Sequence, residues 1–465
     1  MGNEWKTAKL TEHYEIRSGL SKPAKDFGSG YPFLTFKDVF YNYFTPETLG
    51  DLVESTEKDR LGCSVRRGDV FLTRTSETMN ELGMSCVALK DYENSTFNGF
   101  CKRLRPKADS ELVPEYVGYY LRSPLFRRLM MAFSTMSTRA SLNNEMISRL
   151  VISYPAPNEQ VEIARVLKVL DEKISLNRQI NQTLEQMAQT LFKSWFVDFD
   201  PVIDNALDAG NPIPEVFETR VERRKAVRES ADFKPLPDDV RKLFPSEFED
   251  SEQGWVPKGW RSVDLTKMVD SISVTYPLKE VDKVIFLNTG DIENGKFLVN
   301  EYSDSKGLPG QAKKSIQEND ILFSEIRPKN KRFAFVNFDA SDYVVSTKLM
   351  VLRAKNGFEP LLPYFLVTHD RTTTELQRVA ELRSGTFPQI TYKELEFISF
   401  LLPPYGGLLD FFVSKHLKPI YERSFSFSEE NQTLEKLRDT LLPKLISGEL
   451  RLDSPEVEQA KALVE

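Results

Sequence analysis

Basic side chains gather beside the predicted turns of two stretches of the chain, residues 1–150 and 253–402. Arg and Lys in loops hold nucleic-acid phosphates, and Arg also reads the guanine edge through two parallel hydrogen bonds. The residues that fit this chemistry are Arg74, Lys102, Arg103, Arg105, Lys107, Arg139, Arg327, Lys329, Lys331, Arg332, Arg383 and Thr386. A solvated charged face explains any single one of them equally well. As a set beside short strand patterns, they favour DNA binding.

The sequence contains no convincing catalytic motif. Residues 402–405, LPPY, approach the Asn/Asp-Pro-Pro-aromatic motif of adenine methyltransferases, but Leu402 stands where a polar side chain must hold the target amino group. A rigid joint between two segments is the simpler explanation of these prolines. There is no G-x-x-x-x-G-K-[ST] loop for ATP, no nuclease-like carboxylate cluster, and only three histidines for a metal centre. We therefore predict no catalytic and no metal-binding residue.

The net charge of −7 is concentrated in one segment. Residues 198–252 hold 15 acidic and 8 basic side chains, so the rest of the chain is neutral and leaves room for local basic surfaces. No run approaches the ~18 apolar residues of a membrane helix, and MGNEWKTAKL is no signal peptide. The three cysteines show no metal or redox spacing. We expect a cytoplasmic protein outside the membrane.

The stretch that must position these side chains is a predicted long helix over 158–197, which has no proline or glycine. Apolar residues recur there at alternating three- and four-residue steps, which is typical of a coiled-coil seam. Asn158 is the predicted N-cap, and Asn177 and Asn181 are polar positions within the seam. The predicted seam includes Leu167, Leu170, Ile174, Asn181, Leu184 and Leu191.

A second copy of this helix lies near the C-terminus. Residues 431–442, NQTLEKLRDTLL, repeat residues 181–192, NQTLEQMAQTLF, in the same register. The repeated seam includes Leu417, Ile420, Phe427, Asn431, Leu434 and Leu441. Because one long helix cannot cover its own apolar stripe, we predict that the two helices pack on each other, in either a parallel or an antiparallel arrangement.

The duplication extends to the segments before each helix. Alternating patterns at 69–75 and 84–89 predict half-buried strands, and 114–131 predicts a helix. Residues 68–72 (GDVFL) match 319–323 (NDILF), and 150–155 (LVISYP) match 398–403 (ISFLLP). Between the copies, 200–252 is rich in Pro, Asp and Glu and is predicted to be a surface linker with one helix at 214–228. These matches predict a tandem repeat, in which each copy consists of a strand-rich domain and a long helix.

These features resemble the specificity subunit of type I restriction–modification enzymes. The resemblance is carried by PNEQ at 157–160, NQTL at 181–184, FKSWFVDFDP at 192–201, GWVPKGW at 254–260 and LLPKLISGEL at 441–450. Two places depart from the pattern. YGG at 405–407 replaces the PNEQ-like opening of the second helix, and Pro443 is expected to bend or end that helix near Leu442.

The resemblance implies an α+β fold in which two strand-rich target-recognition domains are joined by an antiparallel coiled coil, as a pseudo-two-fold tandem repeat. It further implies that each domain reads one half of a bipartite double-stranded DNA site, and that the helices set the spacer and dock two methyltransferase subunits. Two restriction subunits that use ATP and Mg²⁺ would join them, and S-adenosylmethionine would be bound by the methyltransferase. This chain itself would bind no cofactor. The predicted segments are 1–155 and 255–403 (recognition domains), 156–199 and 404–452 (helices), 200–254 (acidic linker) and 453–465 (a disordered or helical tail).

Two other functions fit parts of the same sequence. A stand-alone adenine DNA methyltransferase would have to bind S-adenosylmethionine without a glycine-rich cofactor loop. The other is a scaffold that joins two protein partners without DNA contact, and charge reversal at Lys329, Lys331 and Arg332 with no loss of DNA affinity would favour it.

Overall fold

The structure is a computed structural model that describes residues 5–75, 81–132 and 141–463. The chain forms two compact units. Unit 1 comprises Met1–Asn177 and Glu429–Glu465, and unit 2 comprises Arg178–Ser428. Each unit thus contains a strand-rich segment and parts of both long helices. We call residues 5–155 head 1 and residues 248–403 head 2.

Head 1 is built from short strands and helices. Its strands are β1 (Lys6–Lys9), β2 (Tyr14–Ser18), β3 (Phe27–Leu34), β4 (Asp51–Val53), β5 (Val70–Thr73), β6 (Ser85–Val87), β7 (Thr96–Phe97), β8 (Cys101–Pro106) and β9 (Val151–Tyr154). Its helices are α1 (Leu10–His13), α2 (Phe36–Tyr41), α3 (Glu57–Gly62), α4 (Pro114–Arg122), α5 (Pro124–Ala132) and α6 (Asn144–Arg149).

The next segment is helical. It consists of α7 (Pro157–Phe192), a π-helical turn (Lys193–Val197), α8 (Asp200–Ala209), α9 (Glu218–Arg228) and α10 (Asp238–Arg241). Helix α7 begins at Pro157, so the prediction that Asn158 caps it is wrong. Proline is favoured in the first turn of a helix because its missing N–H has no intrahelical partner there.

Head 2 contains most of the remaining elements. Its strands are β10 (Phe248–Ser251), β11 (Gly254–Pro257), β12 (Arg261–Asp264), β13 (Val269–Ile272), β14 (Lys283–Leu287), β15 (Ile292–Glu293), β16 (Lys296–Phe297), β17 (Ser303–Asp304), β18 (Ala312–Ser315), β19 (Ile321–Ser324), β20 (Phe333–Phe335), β21 (Tyr343–Ser346), β22 (Leu349–Ala354) and β23 (Ser399–Leu402). Its helices are α11 (Leu265–Met268), α12 (Leu361–Thr368) and α13 (Asp370–Arg383). The chain ends with α14 (Leu408–Phe412), a π-helical turn (Val413–Leu417), α15 (Lys418–Ser447) and α16 (Pro455–Ala462).

The main sheets of the two heads share their strand order, and head 2 adds β18 beside β21 and the pairs β10-β11 and β15-β16. The four-stranded sheet β2-β8-β5-β6 of head 1 corresponds to β13-β22-β19-β20 of head 2, and the pair β1-β9 corresponds to β12-β23. The parallel pair β3-β7 corresponds to the parallel pair β14-β21. The tandem repeat predicted from the weak sequence matches is therefore confirmed.

A buried ion pair recurs at the same place in both four-stranded sheets. Asp69 accepts two hydrogen bonds from Arg105, at 2.6 and 2.8 Å, and Asp320 accepts two from Arg353, at 2.7 and 2.9 Å. Both carboxylates are fully buried, and each also accepts from a main-chain N–H three residues earlier. The arginine forks supply the donors that a buried carboxylate requires.

In unit 1, the first part of α7 and the last part of α15 run antiparallel. Asp171 accepts from Arg438 at 2.7 Å, and Asn177 donates to Asn431 at 3.1 Å, so the residue numbers rise in one helix as they fall in the other. Tyr119 of head 1 donates to the other oxygen of Asp171, at 2.8 Å. The seam residues in this core are Leu167, Leu170, Ile174, Leu434 and Leu441.

In unit 2, the helical parts are also antiparallel. Asn181 donates to the carbonyl of Ser424 at 3.2 Å, and the Trp195 indole packs edge-on to His416. Leu417 and Phe427 are buried, whereas the remaining seam side chains of this unit are only half-buried. Those half-buried residues are Asn181, Leu184, Leu191 and Ile420.

Two expectations about the helical segments are wrong, namely that the second long helix ends near Leu442 and that residues 200–252 are only a surface linker with one helix. Helix α15 continues through Pro443 to Ser447. Leu445 and Ile446 are fully buried in the core of unit 1, which holds the last turn in place despite the missing hydrogen bond. The segment 200–252 is more than a surface linker with one helix, because α8, α9 and α10 lie within it and Val202, Phe217 and Phe244 join the core of unit 2.

Candidate DNA-binding surface

The first candidate loop of head 2 connects β19 to β20. Two of its residues, Arg327 and Lys331, have left-handed backbone conformations, with φ of +46° and +53°, on either side of a single 3-10 turn. That conformation is costly for residues with a side chain. It is held by bonds to the surroundings: Lys329 N–H donates to Gln377 Oε1 at 3.2 Å, and Lys331 C=O accepts from Asn294 N–H at 2.7 Å.

A second loop, residues 384–391, lies directly alongside the first. Ile326 and Gln389 form an isolated β-bridge. Arg327 N–H donates to Pro388 C=O at 3.1 Å, and Glu325 C=O accepts from Ile390 N–H at 2.9 Å. We call residues 325–332 and 384–391 the paired loops of head 2.

The predicted cations of the paired loops differ in how they are bonded. Lys331 pairs with Asp370 at 2.6 Å, and Arg383 at the start of the second loop pairs with Glu394 at 2.6 Å. Arg332 donates to the Ile292 carbonyl at 3.1 Å and lies 3.5 Å from Glu293. All three side chains are thus bonded within the protein, each to a carboxylate or a main-chain carbonyl.

Arg327 and Lys329 have a different environment. Both are exposed, and their side chains make no hydrogen bond or ion pair with the described residues. Thr386 is also exposed, and the neighbouring Phe387 ring is 51% exposed. The paired loops therefore present two unneutralised cations, a hydroxyl and an aromatic ring on one surface.

The described ends of the corresponding segments of head 1 are joined in the same way. Thr75 and Ser141 form the corresponding β-bridge, and Arg74 C=O accepts from Leu142 N–H at 2.8 Å. Arg74 is exposed at the end of β5. Arg139 lies outside the described residues.

Three predicted cations of head 1 are not in turns. Lys102, Arg103 and Arg105 lie on the central strand β8. Arg103 is only 4% exposed and donates to Ser64 C=O at 2.7 Å, and burial lowers its pKa to about 10. Burial also lowers the pKa of Lys102, which donates to Ser18 Oγ at 2.9 Å. Lys102 and Arg103 therefore bond to the protein itself. Arg105 does the same, because it pairs with Asp69.

Lys107 follows the same strand and is also bonded internally. Its ammonium donates to Thr11 C=O at 2.8 Å. Of the head 1 cations predicted from sequence and described in the structure, Arg74 is thus the one that stands exposed beside the Thr75–Ser141 bridge.

A family model described as "Type I restriction modification DNA specificity domain" matches residues 2–186 and 257–406. The chain belongs to this family. The first match covers head 1 and most of α7, and the second covers head 2 from residue 257, so each head of this type I specificity chain corresponds to one match. The resemblance stated from sequence is confirmed.

Relatives of this specificity chain support the assignment over different lengths. The HindI specificity subunit of Haemophilus influenzae is 39% identical over 186 residues, which is 39% of each chain. The MjaIX specificity subunit of Methanocaldococcus jannaschii is 24% identical over 97% of this chain and 94% of the relative. A crystal structure of the S subunit from M. genitalium superposes with a TM-score of 0.54 at 13% identity, covering 96% of both chains, and shows the same fold.

Several residues of the surface and its support were missed in the sequence. Phe100 in head 1 and Phe387 in head 2 are exposed rings beside the loops, and an aromatic residue in a short polar, glycine-containing stretch was the available signal. Gln160 is fully buried and accepts from Val113 N–H at 2.9 Å while donating to Pro155 C=O at 2.9 Å. It ties the start of α7 to head 1.

Among residues 5–75, 81–132 and 141–463, no helix is long and apolar enough to span a bilayer.

Proposed function

We propose that this chain is the non-catalytic DNA-reading subunit of a type I restriction–modification complex, with each head reading one half of a bipartite site. The observation that carries the proposal is the β-bridge at the equivalent sheet end of both heads, Thr75–Ser141 and Ile326–Gln389, with exposed cations beside it. Arg74 stands exposed in head 1, and Arg327 and Lys329 stand exposed in head 2. Arginines in such positions contact phosphates and the guanine edge. Different side chains on one repeated scaffold provide two different reading surfaces.

The helices supply the second part of the proposal, in which they set the spacer and dock two methyltransferase subunits. Both halves of each helix have an antiparallel partner within their own unit, through Asp171 and Arg438 in unit 1 and through Asn181 and Ser424 in unit 2. Apolar side chains also remain exposed on α7, at Val161, Leu176 and Met187, and these are available to partner helices.

The chemistry of the complex belongs to the partners in this proposal. The methyltransferase subunits bind S-adenosylmethionine, and two restriction subunits use ATP and Mg²⁺. This chain binds no cofactor and acts by choosing the DNA sequence. The stand-alone methyltransferase and the DNA-free scaffold are the alternatives that the experiment must separate from it.

The deciding experiment is modified-base sequencing of DNA from cells that carry the neighbouring methyltransferase with and without this chain. We expect a split motif of methylated adenines that disappears when the chain is removed. Motif methylation by the chain alone, together with S-adenosylmethionine binding, would favour the stand-alone enzyme. An unchanged methylome despite an assembled complex would favour the scaffold.

A domain exchange tests the two-reader arrangement. Replacing residues 1–155 with head 1 of another family member should change one half of the methylated motif and leave the other half unchanged. Removing seven residues from both α7 and α15 should change the spacer length or prevent assembly. A simultaneous change in both half-sites after the head exchange would contradict the proposal.

A further inference from the structure

One position of the repeated sheet carries different chemistry in the two heads. In head 1, Arg74 N–H donates to Phe100 C=O at 2.7 Å, and in head 2, Glu325 N–H donates to Lys348 C=O at 3.0 Å. The carbonyl groups of Arg74 and Glu325 then accept from the second loop of their own head, from Leu142 and Ile390 respectively.

The sheet register establishes that these pairs are equivalent. Thr73 is opposite Cys101 in head 1, and Ser324 is opposite Leu349 in head 2. The four residues in the pairs directly adjoin these positions in sequence, at the sheet end that carries the β-bridges Thr75–Ser141 and Ile326–Gln389. We call these the reading pairs, Arg74–Phe100 and Glu325–Lys348.

The head 1 pair is free to contact a ligand. Arg74 is exposed, and the Phe100 ring is 62% exposed. Lys102 lies close enough for the Arg74 charge to contribute to lowering its pKa, after the larger effect of burial. The Arg74 guanidinium and the Lys102 ammonium therefore lie close enough to repel each other.

The head 2 pair is arranged differently. Lys348 Nζ lies 3.7 Å from Glu325 Oε2, and the same oxygen accepts from Gln389 Nε2 at 2.8 Å. Where head 1 has a cation and an aromatic ring, head 2 has a mutually neutralised network that includes the second loop. An acidic acceptor at this place disfavours a guanine edge or a phosphate, because both present oxygen acceptors.

We propose that the reading pairs are specificity-determining elements at equivalent places in the two half-sites. In head 1, Arg74 donates two hydrogen bonds to a guanine edge and Phe100 packs on the neighbouring base. In head 2, Glu325 accepts from an exocyclic amino group of cytosine or adenine. This inference rests on the proposed DNA-reading function, and it names the residues that make the two half-sites different.

The test uses the complete complex of this chain with its methyltransferase, and methylation rates on duplexes that each carry one base change in the recognised motif. Wild type is compared with Arg74→Lys, Arg74→Ala, Phe100→Ala and Lys348→Ala. Arg66→Ala is the control, because Arg66 is an exposed arginine at the opposite end of β5. Assembly of every variant is checked by size-exclusion chromatography.

We expect Arg74→Ala to lower discrimination against one substituted guanine in the head 1 half-site by roughly 10-fold or more, the range of one bidentate base contact. Arg74→Lys should lose the same discrimination although it keeps the charge, since Lys lacks the planar fork. Phe100→Ala should relax the adjacent position, and Lys348→Ala should act only on the other half-site. Arg66→Ala should match wild type.

Three results would overturn the inference. Unchanged discrimination in the Arg74 and Phe100 variants would remove these residues from base reading. A uniform loss of rate on all duplexes, restored by Arg74→Lys, would identify Arg74 as a phosphate contact instead. A wild-type complex with no sequence preference would refute the proposed function, and the inference with it, and this outcome is distinct from the first two.

Discussion

Asn177 donates through Nδ2 to Oδ1 of Asn431 at 3.1 Å, and both side chains are nearly fully buried between α7 and α15. Glu430 accepts the second proton of the same amide at 2.7 Å. The pair lies among the buried apolar seam residues of unit 1, including Leu170, Ile174 and Leu434. A buried amide pair is less stabilising than leucines, but it fixes one register of the two helices.

Breaking this amide pair on one side should destabilise unit 1. Asn431→Leu leaves the Asn177 amide partly unsatisfied, and we expect the free energy of unfolding to fall by about 1–3 kcal/mol. The double variant Asn177→Leu/Asn431→Leu should recover most of that loss, because two apolar residues then fill the seam. Urea denaturation followed by circular dichroism measures both, and Gln182→Leu on the exposed side of α7 is the control. A double variant as unstable as the single one would contradict this role.

The buried ion pairs of the two heads should contribute similarly to the free energy of unfolding. Asp320→Ala or Arg353→Ala removes one partner of a bidentate pair with a fully buried carboxylate, and we expect a cost of about 3 kcal/mol for either.

The double variant Asp320→Ala/Arg353→Ala should cost clearly less than the sum of the single variants. Asp69 and Arg105 in head 1 should give the same pattern by urea denaturation. Arg378→Ala breaks an exposed pair with Glu375 and should cost less than about 1 kcal/mol. Additive effects of the single changes would mean that the buried pair is not coupled.

Gln160 should be required for docking α7 onto head 1. Gln160→Glu places an acceptor against the carbonyls of Pro155 and Glu111, so unit 1 should lose about 1–3 kcal/mol at pH 7. Part of the loss should be regained near pH 5, where a protonated carboxyl group donates again. Gln182→Glu, on the exposed side of the same helix, should show neither effect. The pH dependence of the urea midpoint distinguishes the two variants.

Glu185 should make unit 2 less stable as the pH rises. Burial raises the pKa of this carboxyl group, and Gln189 partly opposes the shift by donating to it at 2.9 Å. A pKa raised in the folded state gives a stabilisation that is complete below the unfolded pKa of about 4.3 and is lost as the pH passes through the raised value.

Glu185→Gln should therefore be more stable than wild type at pH 7.5, and the difference should shrink toward pH 4. Melting temperatures across this range provide the measurement. Glu172→Gln, at an exposed position in the first part of α7, removes a carboxylate from the same helix and is the control. A pH-independent difference would show that Glu185 does not titrate differently on folding.

Arg327 and Lys329 should contribute charge to DNA binding. Removing either side chain should weaken binding to all sequences and reduce the slope of log affinity against log salt by about 1 if the residue contacts a phosphate. Fluorescence anisotropy across a series of salt concentrations measures the slope for the assembled complex. Lys267 is exposed near the opposite end of the sheet β13-β22-β19-β20, and Lys267→Ala should leave the slope unaltered. Equal slopes for all variants would exclude phosphate contacts.

The sequence by itself determined the repeated architecture and the helical seam. Leu167, Leu170, Leu434 and Leu441 recur at a period set by the α-helix, and the NQTL repeat places both helices in one register. These are local properties, because side-chain spacing along a helix fixes which residues share a face. The same reasoning placed Arg74 and Arg327 beside turns, where the structure has them.

Tertiary structure decided everything that depends on residues distant in the chain. Lys102 and Arg103 looked like loop cations, but pairing of β8 with β2 and β5 buries them. Helix α15 passes through Pro443 because Leu445 and Ile446 are buried beyond it. Phe100 lies beside Arg74 because the pairing of β5 with β8 lets its carbonyl accept from the Arg74 N–H. A local pattern specifies an element and its faces, whereas burial, pairing and the meeting of two loops arise from contacts that no local pattern encodes.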